Sequence, residues 1–237
     1  MICRSSGQGW ELVRQPDHGV LACALLDAIA DAPRGPLEGF RLAVAHHDDG
    51  WAERDREARA GDGAGPESFL ELSLPEHLEI SGESVRLAGD LHPYAEAIVA
   101  LHGAWLHGSR VVQDPELAEQ RDAVIGSWRA LAEQRAVELG VSSADLHHDQ
   151  RLCAMVDFMS LWLCGWPEGD ELALERPGGE EADVERAGDR VRMPAELLPS
   201  GCELVLPVLS VAGAAPFPIV GESVRTITLA PSVGASD

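Results

Sequence analysis

Apolar residues recur three and four apart through the first two thirds of the chain, then give way to short alternating runs. From about Asp17 to Ala32, Val20, Leu21, Ala24, Leu25 and Ala28 keep helical spacing until Pro33 ends the pattern. A second stretch, about Leu37 to His47, carries Phe40, Leu42, Val44 and Ala45 and breaks at Asp48-Asp49-Gly50. Pro75 and Pro93 each suit a first helical turn, and predict helices over about 75–88 and from 93 onward. Longer patterns predict helices over Pro115 to Glu138 and about His148 to Leu163. Arg54 to Ser68, rich in Gly, Arg and acid, reads as an exposed loop that could cover a site.

From Pro167 onward Gly and Pro punctuate short β-prone runs, such as Glu203 to Val208 and Val224 to Leu229. The expected architecture is therefore an all-α core over residues 1–166, with a small C-terminal β-containing appendage over 167–237. Its last residues, Pro231 to Asp237, are expected to be disordered.

Composition narrows the chemistry. With 237 residues and 45% hydrophobic content the chain can bury a sizeable core. Forty acidic residues against eighteen basic ones give a formal charge of −22, which repels phosphate polymers and argues against a nucleic-acid partner. Every basic residue is Arg, so a lysine Schiff base and a P-loop lysine are both excluded. Cys3, Cys23, Cys153, Cys164 and Cys202 are too sparse for a disulfide scaffold, and are expected as reduced packing thiols. No apolar run is long enough for a membrane span, and Met1 to Trp10 lacks a secretion signal, so a cytoplasmic protein without a membrane partner is expected.

An ordered series of metal-capable side chains runs through the helical part: His18, His47-Asp48 within Ala45-His46-His47-Asp48-Asp49-Gly50-Trp51, then His77, His102 and Asp157. Imidazole and carboxylate together suit divalent manganese, iron, zinc or nickel. Acid at a helix C-terminus opposes the helix dipole unless a cation compensates, which singles out Asp48. Asp157 lies beside an apolar stripe and, if buried, needs a metal or an arginine partner. His102 shares a face with Ile98, Leu101 and Trp105 and also needs a partner there. His77, in a polar first turn, is equally consistent with simple exposure. His46, His92, His107, His147 and His148 read as surface or supporting residues.

The order His, His-Asp, His, His, Asp resembles the HD-domain superfamily of metal-dependent phosphohydrolases, over about residues 15 to 165. Gln15-Pro16-Asp17-His18, the HHDDGW run, and Pro93-Tyr94-Ala95 leading to Leu101-His102-Gly103 look like an uncharacterised bacterial family usually placed in that superfamily. The resemblance implies a helical bundle holding two divalent transition-metal ions, manganese or iron first. His18, His47 and Asp157 would complete one ion, His77 and His102 the other, with Asp48 bridging. It implies hydrolysis of a small phosphoester or nucleotide, with Asp49, Arg54 and Arg110 as candidates for proton transfer or binding of the anionic metabolite. Some proteins of this type use the same order to hold two irons that activate dioxygen, so a di-iron oxygenase is the alternative. A non-catalytic metal-binding or regulatory module is the third reading. Asp49-Gly50-Trp51 follows the pair where hydrolases of this type often carry a basic residue.

Overall fold

A computed structural model describes residues 1–7, 9–213 and 215–232, and about half of the chain is helical. Six helices form: α1 (Gln15–Ala28), α2 (Leu37–His46), α3 (Leu74–Leu91), α4 (Pro93–Gly108), α5 (Pro115–Leu139) and α6 (Ser143–Cys164). Proline occupies the first turn of α1, α3, α4 and α5, where its missing N–H costs nothing. A capping box between Ser73 and Glu76 adds to the start of α3. Helix α6 begins earlier than its apolar pattern, because the Ser142 side chain caps the polar turn at Asp145. Gly140 and Gly165 end α5 and α6 with φ of 68° and 113°, a conformation that favours glycine.

The all-α expectation is overturned by a seven-stranded mixed sheet, far more than a small appendage. Its strands are β1 (Ile2–Ser6), β2 (Gly9–Val13), β3 (Glu171–Glu175), β4 (Glu181–Ala187), β5 (Arg190–Met193), β6 (Cys202–Ala212) and β7 (Ile219–Pro231), in the order β1-β2-β6-β7-β5-β4-β3. All neighbours are antiparallel except β5 and β7. Strands β3 to β5 alternate charged with apolar residues, and bury Leu172, Leu174, Val184, Val191 and Met193 on one face. The first hairpin carries almost no such alternation and is held by its pairing with β6, so no local period of two marks it. Pro231 pairs with Met193 at the end of β7, and residues 233–237 lie outside the described residues.

Helices α1 and α6 lie against the sheet. One core runs through both layers, joining Leu25, Ile98 and Trp162 of the helices to Ile2, Leu174 and Leu206 of the sheet. Among the described residues, no helix is long and apolar enough to cross a membrane.

Two glycines set how closely the helices approach. A Cβ at Gly19 in α1 would lie 2.8 Å from the Ala45 carbonyl of α2, so glycine there lets His18 reach the end of α2. A Cβ at Gly50 would strike the Ile80 carbonyl, and the Gly50 N–H donates to Ser84 Oγ at 3.0 Å, docking the turn after His47-Asp48 onto α3. Gly126 in α5 has open space around it. Gly126→Ala is therefore expected to stabilise by about 0.5–1 kcal/mol through helix propensity. Gly19→Ala is expected to destabilise by roughly 1–3 kcal/mol through overpacking. Urea unfolding of the two variants checks the opposite signs.

Candidate metal centre

Four elements bring four of the expected ligands together. His18 projects from the second turn of α1, His47 caps the C-terminus of α2, Asp48 follows where the backbone leaves the helix, and Asp157 lies midway along α6. His18, His47 and Asp157 are buried, and one ligand atom from each lies within 4.8 Å of the others. His18 Nε2 stands 2.8 Å from Asp48 Oδ2, and His47 Nε2 stands 3.2 Å from Asp157 Oδ1 and 3.7 Å from Asp48 Oδ2.

The surrounding hydrogen bonds decide which ring atoms carry lone pairs. Ser160 Oγ donates to the Asp157 carbonyl at 2.8 Å, so its contact with His18 Nδ1 at 2.8 Å has the imidazole as donor. His47 Nδ1 likewise donates to the Val44 carbonyl at 2.8 Å. Both Nε2 atoms are then left with lone pairs aimed at carboxylate oxygens. Acceptor facing acceptor at 2.8–3.2 Å is repulsive unless a proton or a cation lies between them.

Without a cation, protons take that place. Burial opposes charging His47, but Asp48 and Asp157 outweigh it and hold its pKa up at about 10. Burial likewise opposes charge on both acids. The His47 and His18 rings nevertheless keep Asp48 below the usual carboxylate range, and His102 and His47 keep Asp157 well below it.

His102 on α4 brings Nε2 within 3.3 Å of Asp157 Oδ2, without the alignment of a hydrogen bond. It therefore belongs beside His47, its ring 5.5 Å away centroid to centroid. His77 is buried rather than exposed, and lies against Trp51 and His107, with ring centroids at 5.5 and 6.0 Å. The pKa of both His77 and His107 is pushed down to about 4, chiefly by burial, with Arg110 contributing to each.

These groups open onto a cavity of about 330 Å³, walled by Trp51, Phe69, Trp105, Phe158, Leu161 and Trp166. Of the three further candidates, only Arg110 lines it. Arg54 grips Glu67 through two hydrogen bonds at 3.1 and 2.9 Å and lies 3.5 Å from Glu76, which pins the loop instead of meeting a ligand. Asp49 pairs with His46 at 2.8 Å.

Two contributors were not apparent from sequence. Ser160 sits three residues after Asp157 and sets the His18 tautomer, but nothing in an isolated serine marks that role. His107 lies on a helix that is apolar almost all round, so periodicity gives no face to assign it; a second histidine in so apolar a segment was the available signal. Tyr94 also gains a role. Its hydroxyl donates to Asp149 at 2.7 Å, and Asp149 also accepts from the Arg34 and Gly35 amides, clasping the linker between α1 and α2 to α6.

Helices presenting a buried histidine–carboxylate cluster to an aromatic-walled cavity, backed by a mixed sheet, define the class of protein. The chain belongs to the family DUF3891, described as a protein of unknown function, whose profile matches residues 1–194. That span contains every residue of the site. No curated protein and no solved structure matches the chain.

The environments of the buried histidines imply a pH profile for the metal-free protein. His47 binds its proton more tightly when folded than its ordinary 6.5, so its contribution is full below about 6.5 and lost as pH rises towards about 10. His77 and His107 are neutral when folded but charge in the unfolded chain, so theirs is full above about 6.5 and lost as pH falls towards about 4. Denaturant midpoints measured after chelation should therefore peak near pH 6.5. His77→Gln and His107→Gln should flatten the limb between about pH 6.5 and pH 4, leaving the further loss in acid from Asp48 and Asp157 and the alkaline limb in place.

Proposed function

We propose that the chain is a metal-dependent hydrolase of small phosphoesters or nucleotides, centred on His18, His47, Asp48 and Asp157. The observation that carries this is the pair of imidazole lone pairs held against one buried carboxylate, Asp157, and one partly buried one, Asp48, beside the cavity. That donor set, neutral imidazole with ionised carboxylate, fits manganese or iron, with zinc and nickel also accommodated. The sequence order, which resembles the HD-domain phosphohydrolases, supports the same assignment.

A divalent ion at this position supplies Lewis-acid chemistry, polarising an ester oxygen and lowering the pKa of the attacking water. The chain's own residues do the rest. Asp48 lines the cavity with Asp157 and is the more exposed of the two, so it would accept a proton from water entering from there. Ser160 and the Val44 carbonyl hold the two rings so that Nε2 faces inward. Arg110 is partly buried and lines the cavity, where its guanidinium would meet an anionic substrate. The aromatic walls exclude bulk water and pack the substrate's body.

The apolar wall and the diversion of Arg54 to Glu67 favour a second reading, a di-iron oxygenase acting on a small anionic metabolite in the same cavity. Turnover of an aryl phosphate by manganese-loaded protein without dioxygen supports hydrolysis. Strict dependence on iron and dioxygen supports the oxygenase, and zero metal content after reconstitution leaves a non-catalytic module. The charge of −22 and the five free thiols agree with a cytoplasmic protein that does not bind nucleic acid.

Asp157→Asn and Asp48→Asn should each lower metal affinity and kcat by more than about 100-fold, because loss of a ligand exceeds the 10–100-fold cost of losing its support. Ser160→Ala should cost that smaller 10–100-fold in affinity by freeing the His18 ring. His147→Gln, on the exposed side of α6, should change neither. Arg110→Ala should raise KM more than it lowers kcat where its contact is equally strong in ground and transition states. Equilibrium dialysis with elemental analysis, and steady-state kinetics, check the set.

A further inference from the structure

We infer that Arg4, Arg186 and Arg225 form a binding site for a small phosphate-type dianion, in a second cavity at the C-terminus of α6. Three strands, β1, β4 and β7, carry these arginines to a space of about 330 Å³ that shares no lining residue with the cavity beside His47. The chain has a formal charge of −22 and only eighteen basic residues, so three guanidiniums at one small cavity run against its composition. The site does not depend on the metal reading of the histidine cluster.

Helix capping accounts for part of the cluster. Arg186 donates to the Trp162 carbonyl at 2.8 Å and to the Gly169 carbonyl at 2.7 Å, with its guanidinium carbon 4.7 Å from the centroid of the Trp162 ring. Arg225 donates to the Leu163 carbonyl through one terminal nitrogen. A helix C-terminus presents roughly half a negative charge, which a single guanidinium already exceeds. The remaining positive charge is left over. Arg4 lies across the end of α6, where a Cβ on Gly165 would come 3.2 Å from its Cδ, and its side chain has no hydrogen bond or ion pair among the described residues. Arg225 Nε is buried and has no hydrogen-bond partner there either.

The nearby acids do not complete the balance. Asp170 lies 3.9 Å from Arg186 Nε and Asp189 lies 3.6 Å from Arg225 Nε, both beyond hydrogen-bond reach. These carboxylates are 82% and 59% exposed and are screened by water, whereas the two guanidiniums are only 14% and 16% exposed. Glu11 stands opposite Arg4 in the β1–β2 register without closing an ion pair. Burial, with the charges of Arg4 and Arg225, holds Arg186 below its ordinary range despite Asp170. A guanidinium only donates, and its planar fork matches the paired oxygens of a phosphate. Forks arriving from three strands suit an anion with oxygens on several sides, where a carboxylate presents a single edge.

Inorganic phosphate tests the site. Full-length protein, stripped with a chelator so that no ion in the histidine cluster offers phosphate another partner, is titrated calorimetrically at constant ionic strength set with sodium chloride. Wild type should bind one equivalent per chain saturably. Arg4→Gln breaks no hydrogen bond or ion pair among the described residues, and should weaken binding by about 10-fold or more. Arg110→Ala, at the other cavity, should leave the affinity unchanged. Asp189→Asn removes the acid that competes for Arg225 and should tighten binding, which a purely capping role for Arg225 would not produce. Absence of saturable binding in wild type, or undiminished affinity in Arg4→Gln, overturns the site. Binding lost in Arg110→Ala but kept in Arg4→Gln moves the anion to the other cavity and overturns it as well. Affinity unchanged or weakened in Asp189→Asn overturns the part given to Arg225.

Discussion

One buried carboxylate, Asp157, and one partly buried one, Asp48, lie beside three imidazoles at the meeting point of α1, α2, α4 and α6, and in that low-dielectric setting their charge must be answered locally. No arginine or lysine does so. The answer is a proton or a cation held between atoms from four separate helical segments, so the positions of α1, α2, α4 and α6 are constrained by a single shared charge. Removing one member leaves the others uncompensated. Such clusters are costly to bury unless complete, and this one fixes which arrangement of the helices is tolerated.

The rest of the helical layer serves that constraint. Gly19 lets α1 and α2 approach until His18 and Asp48 meet, and Gly50 seats the following turn on α3. Asp149 gathers two amides and the Tyr94 hydroxyl, tying the α1–α2 linker to the helix that carries Asp157. Polar satisfaction at Asp149 thus stands behind the histidine–carboxylate cluster without touching it.

The helices were largely legible because proline and glycine punctuate them: Pro16, Pro75, Pro93 and Pro115 stand in first turns, and Asp48-Asp49-Gly50 ends α2. The clustering of the candidate site was partly legible too, since His18, His47, Asp48 and Asp157 do converge and His102 adjoins them. The sheet was not. Residues 2–13 lack a strong period of two, and their partner lies at 209–212, a pairing that no local pattern discloses. Arg54 was misassigned for a related reason, because Glu67 faces it only once the loop folds back on itself. His77 was left undecided because a polar first turn does not reveal that Trp51 and His107 will cover it.

The pairing of Gly9 with Ala212 also orders events in time. During synthesis, β2 leaves the ribosome long before β6 exists, and at 5–20 residues per second the wait is roughly 10–40 s. Over that interval the helices can assemble around their cluster while the N-terminal hairpin keeps an unpaired edge, a surface prone to unwanted strand addition. Both strands are only five residues long, which keeps the waiting edge short.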